Sequence, residues 1–327
     1  MNPRVLGAGA WGTALACHIA RRLPVALWAR DAGACERMGR ERRNARYLPE
    51  TAFPDALAVV ADLERAVAGA DLLIVATSVA GLRPTLSAVA AVSALPVPLI
   101  WLCKGLEADT GRLAHQIAAE IVPDWQVGVL SGPSFAQEVA AGLPVALVSA
   151  SLGPAVNERV IEACHHGAMR IYASTDVVGV ELAGALKNVV AIAAGLCDGL
   201  GLGANARAAL IARGLAEMAR LGEAMGGRSE TFMGLAGVGD LVLTCAGDLS
   251  RNRQVGLQLA AGRSLGDIVG SLGHVAEGVR CTPAVLALAR RLRVELPIVQ
   301  TVAAILAGEM TPRQALAELL AREPRRE

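Results

Sequence analysis

Two hydrophobic rhythms alternate through the first half of the chain. Short, largely apolar runs recur at 4–6, 25–29, 72–76, 99–102, 127–130, 145–149 and 169–172. Runs this short and this apolar predict strands buried on both faces. Between them, residues 10–22, 32–43, 62–68, 83–92, 111–121 and 155–165 read as helices. Strands separated by helices imply a doubly wound, mostly parallel sheet. Beyond residue 176 no further strand is predicted. Helices are expected over 177–197, 204–225, 252–261, 265–272, 283–293, 297–307 and 312–321, several opening at proline as helix starts do. Residues 322–327 read as a solvated tail. The expected organisation is an α/β domain over 1–176 and an all-α domain over 177–327.

Glycines mark where the first strand turns. Gly7-Ala8-Gly9-Ala10-Trp11-Gly12 follows strand 4–6 and opens a helix. In that setting the first glycine makes a tight turn, the second lets backbone approach a pyrophosphate, and the third lets helix pack on strand. The phosphates would then lie at the helix N-terminus, on free N–H groups. The sheet is therefore expected to be of the Rossmann type. At the end of the second strand, Asp31 could accept from a ribose 2′-hydroxyl or cap the next helix, and Arg30 could meet a 2′-phosphate. The reading leans to NADP, with NAD also usable. Two further polar loops follow strand ends, Lys104-Gly105 and Ser131-Gly132-Pro133-Ser134, and ligands of open α/β sheets bind beyond the carboxyl ends of strands.

The helix over 177–197 is apolar on nearly every face, with Glu181 and Lys187 its only charges. Such a helix is buried. One turn away from Lys187 lie Ala183, Gly184, Val190 and Ala191, none able to pair with an ammonium. Burial without a partner on its own helix loosens a lysine's hold on its proton, which suits acid–base work. Lys104 and Lys187 are the only lysines among 31 basic residues. Arginine serves everywhere else, so these two positions are read as ones where a guanidinium will not do. Two glycine-rich polar stretches, 197–207 and 234–244, interrupt the helical half and are read as loops. The second leads to Ser250-Arg251-Asn252-Arg253 at an expected helix start, a cradle suited to phosphate or else a capped helix with exposed arginines.

Composition narrows the class. A net charge of +1 and only nine aromatic residues argue against nucleic acid as a partner. The mean hydropathy of +0.45 invites a membrane reading. The longest uncharged stretch, 139–157, is however broken by Gly142, Pro144, Gly153 and Pro154, as a strand between turns would be. Seven scattered cysteines without a C-x-x-C pair, and five histidines without ligand spacing, indicate no disulfide framework and no metal. A reduced, cytoplasmic protein is expected, its oligomeric state left open with a homodimer included.

The motifs together resemble the bacterial NAD(P)-dependent glycerol-3-phosphate dehydrogenases. They are the glycine turn continuing through Thr13-Ala14-Leu15-Ala16, Asn44 to Pro49, Lys104 to Glu107, Ser131 to Ala136, Gly179 to Asn188, Asp198 to Arg207, Gly237 to Thr244, Ser250 to Arg253, and Glu277 to Arg280. The resemblance implies reversible hydride transfer between NAD(P)H and dihydroxyacetone phosphate, giving sn-glycerol 3-phosphate for phospholipid synthesis. It implies Lys187 as general acid/base. Lys104, Gly132, Ser134, Lys187, Asp240, Ser250, Arg251 and Asn252 would meet the substrate. The cofactor would be lined by Ala10, Trp11, Arg30, Lys104, Ala136, Arg251, Val275 and Glu277, beside Gly7, Gly9 and Gly12. Thr77, Ala183 and Cys281 depart from the family's usual residues. Two rival readings are a β-hydroxyacid or ketopantoate-type reductase and a non-catalytic NAD(P)-sensing module.

Overall fold

The computed structural model describes residues 1–93, 95–272 and 276–320. It divides into two compact units, one of residues 1–107 and 112–181, the other of residues 108–111 and 182 onward. The division thus falls inside the helix that the sequence assigns wholly to the second half.

Among the described residues the first unit carries ten strands: β1 (Pro3–Leu6), β2 (Val25–Trp28), β3 (Arg43–Asn44), β4 (Leu48–Ala52), β5 (Leu57–Val60), β6 (Leu72–Val75), β7 (Leu99–Trp101), β8 (Val127–Ser131), β9 (Val145–Ser151) and β10 (Met169–Ser174). Eight form one sheet in the order β10-β9-β8-β7-β6-β1-β2-β5. Every pair is parallel except β8 with β9. The chain order reverses beside β1, the switch point where such sheets bind ligands. Helices α1 (Ala10–Ala20), α2 (Ala32–Glu41), α3 (Leu63–Val67), α4 (Val79–Val92), α5 (Ala114–Ile121), α6 (Ala136–Ala140) and α7 (Pro154–Cys164) accompany it. Val5, Leu15, Leu27, Ile74 and Ile100 are fully or almost fully buried, the core that the apolar runs anticipate.

Three strands escaped the sequence pattern. Strand β5 is the sheet's edge and only its first residue is buried. The β3–β4 hairpin is short and mostly exposed. None has the two-faced burial that a continuous apolar run reports.

Helix α8 (Val177–Gly199), which the division cuts after residue 181, is followed in the second unit by α9 (Gly203–Ala224), α10 (Ser229–Met233), a π-helical turn (Leu235–Gly239), α11 (Asp240–Ala246), α12 (Arg251–Ala260), α13 (Leu265–Ser271), α14 (Glu277–Leu292), α15 (Pro297–Leu306) and α16 (Pro312–Leu320). Helix α8 is long and apolar enough to cross a membrane, but 89% of its most apolar window is buried inside the protein. It is a core helix.

Two expectations need correction. The stretches 197–207 and 234–244, read as loops, are mostly helical. Two of their glycines serve close packing: a side chain at Gly237 would strike the backbone of Phe232, and one at Gly199 would lie 2.6 Å from Ala260 Cβ, whereas Gly201 and Gly203 take positive φ at the turn between α8 and α9. Helix α14 begins at Glu277, ahead of Pro283, which sits inside it. The tail at 322–327 lies outside the described residues.

Candidate active site

The glycine turn has the geometry the spacing demands. Gly7 takes φ +125°, and a Cβ there would lie 2.7 Å from the carbonyl oxygen of Ala76 on the neighbouring strand's exit. A Cβ on Gly12 would strike the Gly7 carbonyl. Gly9, with open space around its missing Cβ, caps α1 by backbone alone. The first N–H groups of α1, including those of Ala10 and Trp11, therefore face outward from a turn that no side chain fills, as a dinucleotide pyrophosphate requires. Asn44 Nδ2 braces the turn from the β3–β4 hairpin, donating to the Ala8 carbonyl (3.0 Å) and to Thr13 Oγ1 (2.9 Å). Asp31 caps α2 by accepting from the N–H of Ala34 (3.0 Å), while Arg30 is exposed beside it. The cap reading of Asp31 is thus realised, and Arg30 is left exposed just past the end of β2.

Lys104 and the serine loop form one cluster. The Gly132 carbonyl accepts from Lys104 Nζ (3.2 Å) and from Ser134 Oγ (3.0 Å). Gly132 needs its glycine: φ is +139°, and a Cβ would lie 3.1 Å from the Ala146 carbonyl. Ala136 opens α6 two residues after Ser134.

In the helical unit Lys187 is buried, as expected, but it is not solitary. Its ammonium donates to Asp240 Oδ1 and to Thr244 Oγ1 (3.0 Å), both from α11. Thr244 Oγ1 in turn donates to the Asp240 carbonyl (2.6 Å). The premise of a lysine loosened by burial alone therefore needs correction, because a carboxylate at contact favours the charged ammonium. The sequence looked for partners one turn away, whereas the partner comes from more than fifty positions further on.

At the start of α12, Ser250 Oγ accepts from the N–H of Arg253 (3.2 Å). The N–H groups of Arg251 and Asn252 remain as the helix's outward donors. Arg251 is exposed and, among the described residues, makes no hydrogen bond or ion pair. Asn252 is different. Its Nδ2 donates to Asn188 Oδ1 (2.9 Å) and its Oδ1 accepts from the N–H of Gly278 (3.0 Å). These bonds hold the side chain in place and use one of its two N–H donors, so the position can offer an anion its backbone N–H and the second amide hydrogen. Glu277, at the start of α14, has its carboxyl pushed up by burial against the pull of Arg280 and Arg251. Val275 lies outside the described residues. Among those residues no cluster of His, Cys, Asp or Glu could hold a metal.

Residues 4–156 match the N-terminal model, and residues 176–317 the C-terminal model, of NAD-dependent glycerol-3-phosphate dehydrogenase. A glycerol-3-phosphate dehydrogenase [NAD(P)+] from Burkholderia cenocepacia (strain HI2424) is 58% identical, each chain covered in full. The chain belongs to the NAD-dependent glycerol-3-phosphate dehydrogenase family. It is thereby an NAD(P)-dependent oxidoreductase acting on a CH–OH group, as the motifs implied. A crystal structure of glycerol-3-phosphate dehydrogenase from Coxiella burnetii superposes with a TM-score of 0.94 at 41% identity, covering 98% of this chain and 99% of that one. A 2-dehydropantoate 2-reductase from Bacillus subtilis, 14% identical over 94% of this chain and 99% of its own with a TM-score of 0.57, shares the fold alone.

Two of the three departures from the family's usual residues have local explanations. Ala183 is fully buried in α8. The Cys281 thiol, pushed up to about 12 by burial, lies 3.7 Å from the Ala185 carbonyl and is chemically quiet. The Thr77 hydroxyl is buried next to the glycine turn and, among the described residues, makes no hydrogen bond, so nothing in the structure explains this substitution. Sequence reasoning also missed two residues of this family member. His115, taken for an ordinary helix residue, gives its backbone N–H (3.0 Å) and its Nδ1 (2.5 Å) to Glu181 near the start of α8. Asn188 entered only as part of a motif, and the structure makes it one of the polar contacts between α8 and α12. Its adjacency to Lys187 was the one available signal.

Proposed function

We propose that the protein catalyses reversible hydride transfer between NAD(P)H and dihydroxyacetone phosphate, yielding sn-glycerol 3-phosphate, with Lys187 as the general acid and base. One observation carries the assignment of the proton: the chain's most deeply held ammonium, on an apolar helix, is gripped by Asp240 and Thr244. The glycine turn and the start of α1 would hold the cofactor's pyrophosphate, and the bound dinucleotide would supply the hydride for C2 or accept it. Lys187 Nζ gives the oxygen on C2 its proton during reduction and takes it back during oxidation. Proton transfer of this kind contributes roughly 10²–10⁴-fold. Asp240 keeps the ammonium charged and limits where it can point. A fixed cation also stabilises alkoxide character on that oxygen before the proton moves.

The phosphate is assigned to the start of α12, where two backbone donors and the exposed Arg251 converge on one anion. Lys104, Gly132 and Ser134 are assigned to the substrate's other end. Arg30 supports the lean toward NADPH, with NADH also used. The product suits glycerophospholipid synthesis, and cysteines that are all free fit a reduced cytoplasm. Association as a homodimer is compatible with this reading.

The test is Lys187→Arg, assayed with dihydroxyacetone phosphate and each reduced nicotinamide in turn. Turnover is expected to vanish while cofactor binding and the melting temperature hold, because a guanidinium does not release its proton. Near-normal turnover would remove Lys187 from the reaction. Equal activity on a carboxylate-bearing ketone lacking a phosphate would favour the hydroxyacid reductase reading.

A further inference from the structure

Helices α8 and α12 meet backbone to backbone. A side chain at Gly195 would collide with the carbonyl oxygen of Arg253, and one at Gly256 with that of Ile192. Two polar contacts flank this crossing. Asn252 joins Asn188 at one end, as described. At the other end Asp198, in the last turn of α8, holds Arg253: the guanidinium Nε and Nη2 reach Oδ2 at 2.9 and 2.8 Å. Arg207 of α9 approaches both oxygens of the same carboxylate, at 3.0 and 3.2 Å. Asp248 also accepts from Arg253 (2.9 Å), but its side chain is 93% exposed and its pull is screened by water. The Asp198 and Arg253 side chains are only 13% and 12% exposed. One sheltered carboxylate therefore balances two guanidiniums.

Arg253 stands two residues from Arg251, and residues so spaced face opposite sides of a helix. Holding Arg253 inward leaves Arg251 as the arginine presented outward. We infer that Asp198 is a positioning residue for the substrate's phosphate. It fixes Arg253, and through it the first turn of α12, relative to Lys187 on the same helix as Asp198. It also keeps Arg253 from competing for the anion. The inference rests on the reading of the α12 start as the phosphate site.

The experiment compares Asp198→Asn, Arg253→Met, the double variant and Arg251→Ala in steady-state reduction of dihydroxyacetone phosphate. Asp198→Asn is expected to raise the substrate KM by about tenfold, with kcat changed far less and the cofactor KM unmoved. Arg253→Met is expected to raise KM likewise, and the effects in the double variant to fall short of multiplying, because the two changes share the Asp198–Arg253 contact while Arg207 and Asp248 are each touched by one of them. Multiplying effects in the double variant, or a lowered melting temperature with an unchanged KM, would overturn the assignment. Arg251→Ala separates the two layers. If it leaves KM unchanged, the phosphate reading itself falls. If it raises KM and Asp198→Asn does not, only the role of Asp198 falls. Should Asp198→Asn fail to fold, Arg253→Lys carries the test: it keeps the charge but loses the second donor, and a smaller KM-led loss is expected, with an unchanged KM counting against the role.

Discussion

Replacing Asp240 by Asn would probe the lysine's proton without touching the lysine. The substitution keeps shape and a hydrogen-bond acceptor but removes the charge facing an ammonium. Both side chains are sheltered, Lys187 at 9% and Asp240 at 1% exposure. Breaking one side of a buried ion pair costs about 3–5 kcal/mol. That cost is read as a lowered melting temperature. Thr244 still accepts from the ammonium, so the lysine's hold on its proton is expected to weaken while its side chain keeps its place. The sign follows from the chemistry. Reduction needs the ammonium, so the alkaline limb of its pH–rate profile moves toward neutrality. Oxidation needs the free amine, so its acid limb moves the same way. Initial rates of both directions, followed by nicotinamide absorbance across the pH range, measure the displacement. Limbs that stay in place would show that Asp240 does not set the proton's affinity, and the account of the site would have to be rebuilt on Thr244 and burial alone.

Gly195→Ala drives a methyl into the Arg253 carbonyl and pushes α12 off α8; a loss of at least about 1–3 kcal/mol is expected, read as a lowered melting temperature, and an unchanged one would disprove the backbone contact. His18 is pushed down to about 4 from its usual 6.5 by burial, against the pull of the Cys164 carbonyl at 2.9 Å. Its ring also stacks on that of His166 at 4.1 Å. Between those two pH values the unfolded chain binds the proton and the folded one does not, so stability falls as pH drops from 6.5 toward 4, by at most about 3 kcal/mol. Urea melts at both ends of that window should show a steeper acid loss in the native protein than in His18→Gln; parallel losses would assign the acid sensitivity elsewhere.

The sheet was legible because its central strands are apolar on both faces and its first turn needs glycine for steric reasons. Strand β5 and the β3–β4 hairpin were not, since half-exposed edges carry no such signature. Glycine misled in the helical half. At Gly199 and Gly237 it marks where a helix is pressed against another chain segment, and sequence cannot tell that from a loop. The buried lysine was found from its surroundings, yet its counter-charge was invisible because Asp240 is distant in the chain. The same holds for Asn252, whose bonds to Asn188 and Gly278 join residues far apart in the chain and have no signature in the spacing.

The scarcity of lysine has a consequence for covalent chemistry. Apart from the amino terminus, acylating reagents find two primary amines on this protein: Lys104, partly sheltered beside Gly132, and Lys187, locked against Asp240. There is no decorative amine surface to absorb an acetyl donor harmlessly. Lysine acylation of this enzyme would therefore land on the two residues proposed above for its site, and digestion at lysine alone would release just three fragments, with both cuts at those same two positions.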